Sequence, residues 1–225
     1  MLLTALFACA PVYRFPGPLA GLGGEPAPGW DVRQERVRPP EPPMRSPAAA
    51  VAAAAASFVG DATLHVDGER FRFDCSGLVE ATLAAGNCPF RGSTASLFEQ
   101  ARDLHVLHRR KIPTPGDVAF FDDTYDRNGN GRRDDPLSHS AVVESVDARG
   151  TITLVHLGSQ GVVRIRMNLR HPEDRTDGDG NVINDALRAP RSSDSPRTRH
   201  LAGELWAGFA SFWRSNDQVA DRSTR

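Results

Sequence analysis

Hydrophobic positions along this chain fall into blocks separated by long polar or proline-rich stretches. A short apolar run over residues 1–8 stops at Cys9, and apolar periodicity is then absent from 11 to 47. Proline lacks a ladder donor and fixes φ, so this stretch, with ten of the seventeen prolines, is predicted to be an extended tether. Regular structure begins at Ser46-Pro47, an N-cap and first-turn proline for an Ala-rich helix over 48–59 that Gly60 stops. The run Phe71-Arg72-Phe73 leads into Asp74-Cys75-Ser76-Gly77. Leu78, Val79, Ala81, Leu83 and Ala84 follow, which reads as a buried helix closed by Gly86. Ser93 or Thr94 caps a third helix carrying Leu97, Phe98, Ala101 and Leu104 on one face.

Strand signals then take over. A turn over 112–117 feeds a strand at 118–121, and strands at 140–146, 151–157 and 162–167 are linked by turns at 147–150 and 158–161. Polar stretches at 122–138 and 170–200 interrupt the pattern and are expected to be surface loops. Leu205, Trp206, Phe209, Phe212 and Trp213 restore apolar character near the end, a last strand or helix docking on the core. Helices first and a meander afterwards predict an α+β domain, with N-terminal helices packed on one face of an antiparallel sheet. That domain spans 47–214, after the segments 1–9 and 10–46 and before a polar tail at 215–225.

Composition narrows the function. A net charge of -1 with interspersed signs offers no footprint for nucleic acid or for an anionic membrane surface. A monomer is expected. Three cysteines are an odd count, so no complete disulfide framework explains Cys9, Cys75 and Cys88. A helix from Cys75 to Ala85 rises roughly 15 Å, and the few residues left before Cys88 return at most about 10 Å, which argues against a Cys75–Cys88 bridge. Cys88 is expected to be an inert thiol. Leu6-Phe7-Ala8-Cys9 is similar to a bacterial lipoprotein cleavage motif apart from bulky Phe7, though a basic leader is missing. Export to the periplasm or cell envelope is the expectation, with lipidation of Cys9 as the only membrane contact.

Cys75 holds the candidate chemistry. In the first turn of a helix, free backbone N–H groups and the positive end of the dipole favour an anion, so this thiol should ionise more easily than a free cysteine. A partner base follows from strand parity. If the hairpin turn is centred between Ala148 and Arg149, Leu154 faces Val143, Ile152 faces Ser145 and His156 faces Ala141. His139 then projects on the same face as His156. That face carries Val143, Ile152 and Leu154, and is expected to be the one packed against the helices. A histidine pair at the end of a buried face, with a helix N-terminal cysteine to meet it, is what a Cys-His nucleophile needs.

Phe73-Asp74-Cys75-Ser76-Gly77-Leu78-Val79, then Pro115-Gly116-Asp117-Val118-Ala119-Phe120-Phe121, then His139 heading a strand and His156 in the next, resemble the successive motifs of the NlpC-type cell-wall cysteine peptidases. The resemblance covers roughly residues 47–167. It implies a papain-like α+β fold, with Cys75 as nucleophile, His139 as base and His156 as the residue that orients the base. It also implies peptidoglycan stem peptides as substrate, commonly cut between γ-D-glutamate and a diamino acid. No cofactor is required. Backbone N–H groups around Cys75 would meet the oxyanion, with Asp74 or Ser76 assisting. Two departures leave the substrate open: no tyrosine lies between Asp61 and Phe73, and the insertion at 122–138 exceeds the loop usual in the family. An amidase or acyltransferase of the same superfamily, and a non-catalytic wall-binding module stiffened by calcium, are the alternative readings.

The insertion has its own pattern. Asp126, Asn128, Asn130, Gly131 and Asp134 follow the oxygen-ligand spacing of a calcium loop, with Leu137 where a bidentate acid belongs and Asp135 or Asp122 available to complete the set. Calcium there would stiffen the approach to His139. Asp177, Asp179, Asn181 and Asp185 repeat the spacing without the glycine.

Overall fold

A computed structural model describes residues 46–132, 134–192 and 194–215. Cys9 with its leader, the tether up to residue 45 and the tail beyond Ser215 lie outside the described residues.

Helix α1, Pro47–Ser57, starts where the sequence places it, with the Ser46 hydroxyl accepting the Ala49 N–H at 3.2 Å and Pro47 in the first turn. A two-stranded hairpin, β1 (Leu64–Val66) and β2 (Glu69–Phe71), precedes α2, Cys75–Ala85. Ser93 accepts the Ser96 N–H and caps α3, Thr94–Asp103. The strands β3 (Leu107–His108), β4 (Val118–Phe121), β5 (His139–Val146), β6 (Thr151–Gly158) and β7 (Gly161–Asn168) follow, then the four-residue helix α4 (Ala202–Leu205) and β8 (Trp206–Ala210). All pair antiparallel, in the order β3-β8-β4-β5-β6-β7. The apolar C-terminal block is thus an inner strand, seated between β3 and β4.

The sheet is buried on both faces. Val118, Phe120, Val142 and Val155 meet Val51 and Ala55 of α1, Leu78 and Leu83 of α2 and Leu97 of α3. Ala119, Phe121, Ala141, Val143, Ile152 and Leu154 form a second core with Leu169, Ala202 and Leu205. Burial of each large apolar side chain contributes roughly 1.5–3 kcal/mol. The face shared by Val143, Ile152 and Leu154 is therefore not the one that α1, α2 and α3 cover; the segment after β7 covers it. Parity shows that two residues share a face, but with all four β4 residues buried it does not say which layer lies on it.

The stretch 170–200 is also more than a surface loop: Ile183, Asn184 and Arg188 are buried within it. Asn184 makes this fold. Its Oδ1 accepts the Asn168 N–H at 2.8 Å and the Gly203 N–H at 3.2 Å, while its Nδ2 donates to the carbonyls of His171 and Asp174, both at 2.8 Å. One amide therefore satisfies four backbone groups at the junction of β7, the loop and α4. Asp117 plays the equivalent part on the other side, accepting from Ser211, Trp213, Thr114 and His108. Burial raises its pKa, and those four hydrogen bonds together outweigh burial and hold the carboxyl below its usual value.

Asn184→Ala strands four backbone groups, two of them in fully buried hydrogen bonds, and is expected to cost about 2–4 kcal/mol. Urea unfolding checks this: the midpoint should fall at an unchanged slope, and a midpoint equal to wild type would deny the residue its role.

Candidate active site

Cys75 is the first residue of α2 and is half-buried. Asp74 is the N-cap, with extended backbone, and its Oδ1 accepts the Gly77 N–H at 2.7 Å and the Ser76 hydroxyl at 2.9 Å. Capping at the third amide leaves the amides of Cys75 and Ser76 without helical acceptors, next to the sulfur. Arg72 locks this turn from outside through Ser76 Oγ, Asp74 and buried Glu80, whose other contact is the Gly92 N–H. The chain can fold so tightly over the helix start only because residue 77 is glycine: a Cβ there would lie 2.0 Å from the Arg72 carbonyl oxygen. Asp74 and Ser76 thus serve the helix start. Of the two, Asp74 lines the cleft beside Cys75, and the Ser76 hydroxyl is engaged by Asp74 and Arg72.

The histidines come together as parity requires. His139 Nε2 and His156 Nδ1 are 2.9 Å apart, with the rings near-perpendicular at 82° and centroids 5.1 Å apart. Gly158 makes room for the second ring, since a Cβ there would stand 2.9 Å from His156 Cε1. The pairing differs from the expected one near the turn: Val143 faces Leu154, but Ser145 faces Thr153, across a bulge between Val143 and Ser145. Ile152 is therefore opposite Val146 and not Ser145. The turn is centred one half-residue later than the sequence suggests, and the bulge absorbs that offset before the histidines are reached.

Burial, and then the neighbouring His156 ring, push His139 down from 6.5 to about 3. Burial likewise pushes His156 down to about 4, against a smaller upward pull from Asp185. Both rings are neutral at pH 7, so their bond has one donor. When His139 Nε2–H donates, His139 Nδ1 keeps its lone pair and can take a proton; when His156 donates, it cannot.

Cys75, His139 and His156 line one cleft of about 700 Å³. Its walls include Phe73, Thr124, Tyr125, residues 157–160 and residues 186–190. Two contacts absent from the sequence reading tie the sulfur to the sheet: Cys75 Sγ lies 3.8 Å from Thr94 Oγ1, which is 3.2 Å from Ser140 Oγ, the residue after His139. In the sequence Thr94 is legible only as a capping candidate, and Tyr125 and Arg188, also cleft residues, carry no local signal. Tyr125 enters from the insertion at 122–138 and is exposed, as is Phe73.

The first calcium pattern is an ordered loop. Asp126 Oδ2 accepts the Gly131 N–H, Asn128 Oδ1 the Asn130 N–H, and Asn130 bridges to Asp134. Asp122 Oδ1 accepts the Leu137 N–H, whereas Asp126 Oδ1 and Asp135 Oδ2 are buried without a partner. Among the described residues no group of three or more His, Cys, Asp or Glu could hold a metal. The second pattern holds a protein cation: Arg149 bridges Asp177 and Asp179, and Asp185 pairs with Arg166. Cys75 and Cys88 are both free thiols, and no helix among the described residues is long and apolar enough to cross a membrane.

No family model and no curated protein matches the chain. Among solved structures, a protein described as similar to lipoprotein, NLP/P60 family, from Staphylococcus aureus aligns at 17% identity with a TM-score of 0.36. The alignment covers 62% of this chain and 42% of that one, so this chain matches less than half of that protein. A likeness at that level bears on neither family nor activity.

The buried histidines make stability pH-dependent. With folded pKa values of about 3 and about 4, the unfolded chain alone binds protons between pH 6.5 and 4, so stability is highest above 6.5 and falls on acidification. The slope is expected to reach about 1.4 kcal/mol per pH unit per imidazole. Denaturation measured from pH 7 to 4 should show it, and a His139→Gln/His156→Gln protein should lose most of it. An equally steep double variant would place the titrating groups elsewhere.

Proposed function

We propose that this chain is an exported cysteine hydrolase of the NlpC type, with a papain-like catalytic arrangement, that cleaves peptide bonds in peptidoglycan stem peptides. The observation that carries the reading is the 2.9 Å bond between two buried imidazoles in a cleft also lined by a helix N-terminal cysteine. Cys75 Sγ attacks the amide carbonyl as His139 Nδ1 takes the thiol proton, and His139 returns that proton to the leaving amine. His156 accepts from His139 Nε2 and fixes the tautomer in which Nδ1 is the base. The oxyanion is met by the amides at the start of α2. Water then takes the acyl group from sulfur, with His139 as base again. Phe73 and Tyr125 at the cleft mouth suit an extended chain lying across it. The leader ending at Cys9 supports a cell-envelope location, with a lipid as the only membrane contact. An amidase or acyltransferase would use the same three residues on another acyl group; a wall-binding module would use none of them.

The Asp126–Asp134 loop carries a calcium proposal. The Gly131 N–H already holds one oxygen of Asp126, and the other is buried without a partner, which suits a hard cation. The ion has no step in the hydrolysis.

Cys75→Ala is expected to lower release of peptides from purified sacculi by at least about 10³-fold with an unchanged circular dichroism spectrum. Mass analysis of the fragments separates a peptide-bond cut from an amidase cut. Sacculi trimmed at the wild-type rate by Cys75→Ala would end the thiol mechanism. Calcium at 100 times its Kd is expected to raise Tm by roughly 5 °C in the wild type and not in Asp126→Ala. An equal rise in both would remove the ion from this loop.

A further inference from the structure

Formal charge is scarce in the cleft. Among its lining residues only Asp74 and Arg188 are charged, since burial keeps both imidazoles neutral. Asp74 is already occupied: it caps α2, accepts from Ser76 and pairs with Arg72 at 3.5 Å. Arg188 is not. It is 4% exposed, its Nε is buried with no hydrogen-bond partner, and its Nη1 donates to the carbonyl of Asp123. No described carboxylate forms an ion pair with it, and Asp135, whose backbone brackets Asp123 and whose Oδ2 is itself without a partner, is no exception. Nη2 has no hydrogen bond either, yet is not among the sealed polar atoms, so it keeps contact with solvent.

A buried guanidinium with two nitrogens, Nε and Nη2, that make no hydrogen bond and with no counter-ion is costly unless something completes it. Nη2 is the nitrogen that keeps contact with solvent, and a carboxylate oxygen is the acceptor that best suits a charged N–H donor there. We propose that Arg188 is the specificity-determining residue of the cleft, receiving a free carboxylate of the substrate. This rests on the hydrolase reading for its location and deepens it: the substrate class is an acidic peptide, and its amidated counterpart is a poor ligand. The Asp123 contact fixes the guanidinium between the 186–190 wall and the 122–138 insertion, so both polar segments contribute to recognition.

The test uses the full chain carrying Cys75→Ala and two synthetic peptides, alanyl-γ-glutamyl-diamino acid with the glutamyl α-carboxyl free or converted to carboxamide. Calorimetry should show the acid form binding about 10-fold or more tighter than the amide. Adding Arg188→Gln should bring the two to within about 2-fold, and Arg188→Lys should restore part of the difference. Equal binding of both peptides by Cys75→Ala, binding of neither, or an undiminished ratio in Arg188→Gln would overturn the proposal. The wild-type comparison decides the matter should Arg188→Gln fail to fold. Wild-type turnover of the same pair separates the two claims. Discrimination in binding without cleavage sinks the hydrolase reading alone, whereas cleavage of both at one rate sinks the Arg188 assignment alone.

Discussion

The site depends on one hydrogen bond between two uncharged rings. His139 and His156 can share it only if they project from neighbouring strands to the same side, and a one-residue slip would send one ring through to the opposite core. The β5–β6 pairing prevents that slip through its filling on both faces: Val142 and Val155 are wedged against the helices, Val143 and Leu154 against the segment after β7. The bulge near Glu144 lies on the turn side of those pairs, where irregularity does not disturb the rings.

Burial has a chemical price as well as a structural use. In the proposed mechanism a carboxylate in third position would stabilise the cation formed when His139 is protonated; His156 is neutral and offers only a lone pair. The base is correspondingly weak until a developing negative charge on sulfur or substrate stands next to it. The histidine pair itself stores no charge at neutral pH.

Features that rest on short-range rules were legible in the sequence. Ser46 and Ser93 cap the helices expected of them, Cys75 opens α2, and alternation along two strands unites His139 with His156. Features that rest on which surfaces meet were not. Residues buried on both sides carry no mark of which layer covers which face, so the pattern does not show that the segment after β7 covers Val143 and Leu154. Thr94, Ser140, Tyr125 and Arg188 reach the cleft through packing between distant segments. The acids at 177 and 179 fit an ion-binding spacing, yet Arg149, some thirty residues earlier, already neutralises them.

Cys88 has a practical consequence. Its sulfur is fully buried against the Phe212 carbonyl, and burial, offset only in part by Ser215, pushes its pKa up to about 11. Alkylating reagents act on reachable thiolates, so within the described residues they find a single target, at the head of α2. Within residues 46–215 a fluorescent or mass-tagged electrophile therefore reports on that one sulfur without any engineered label.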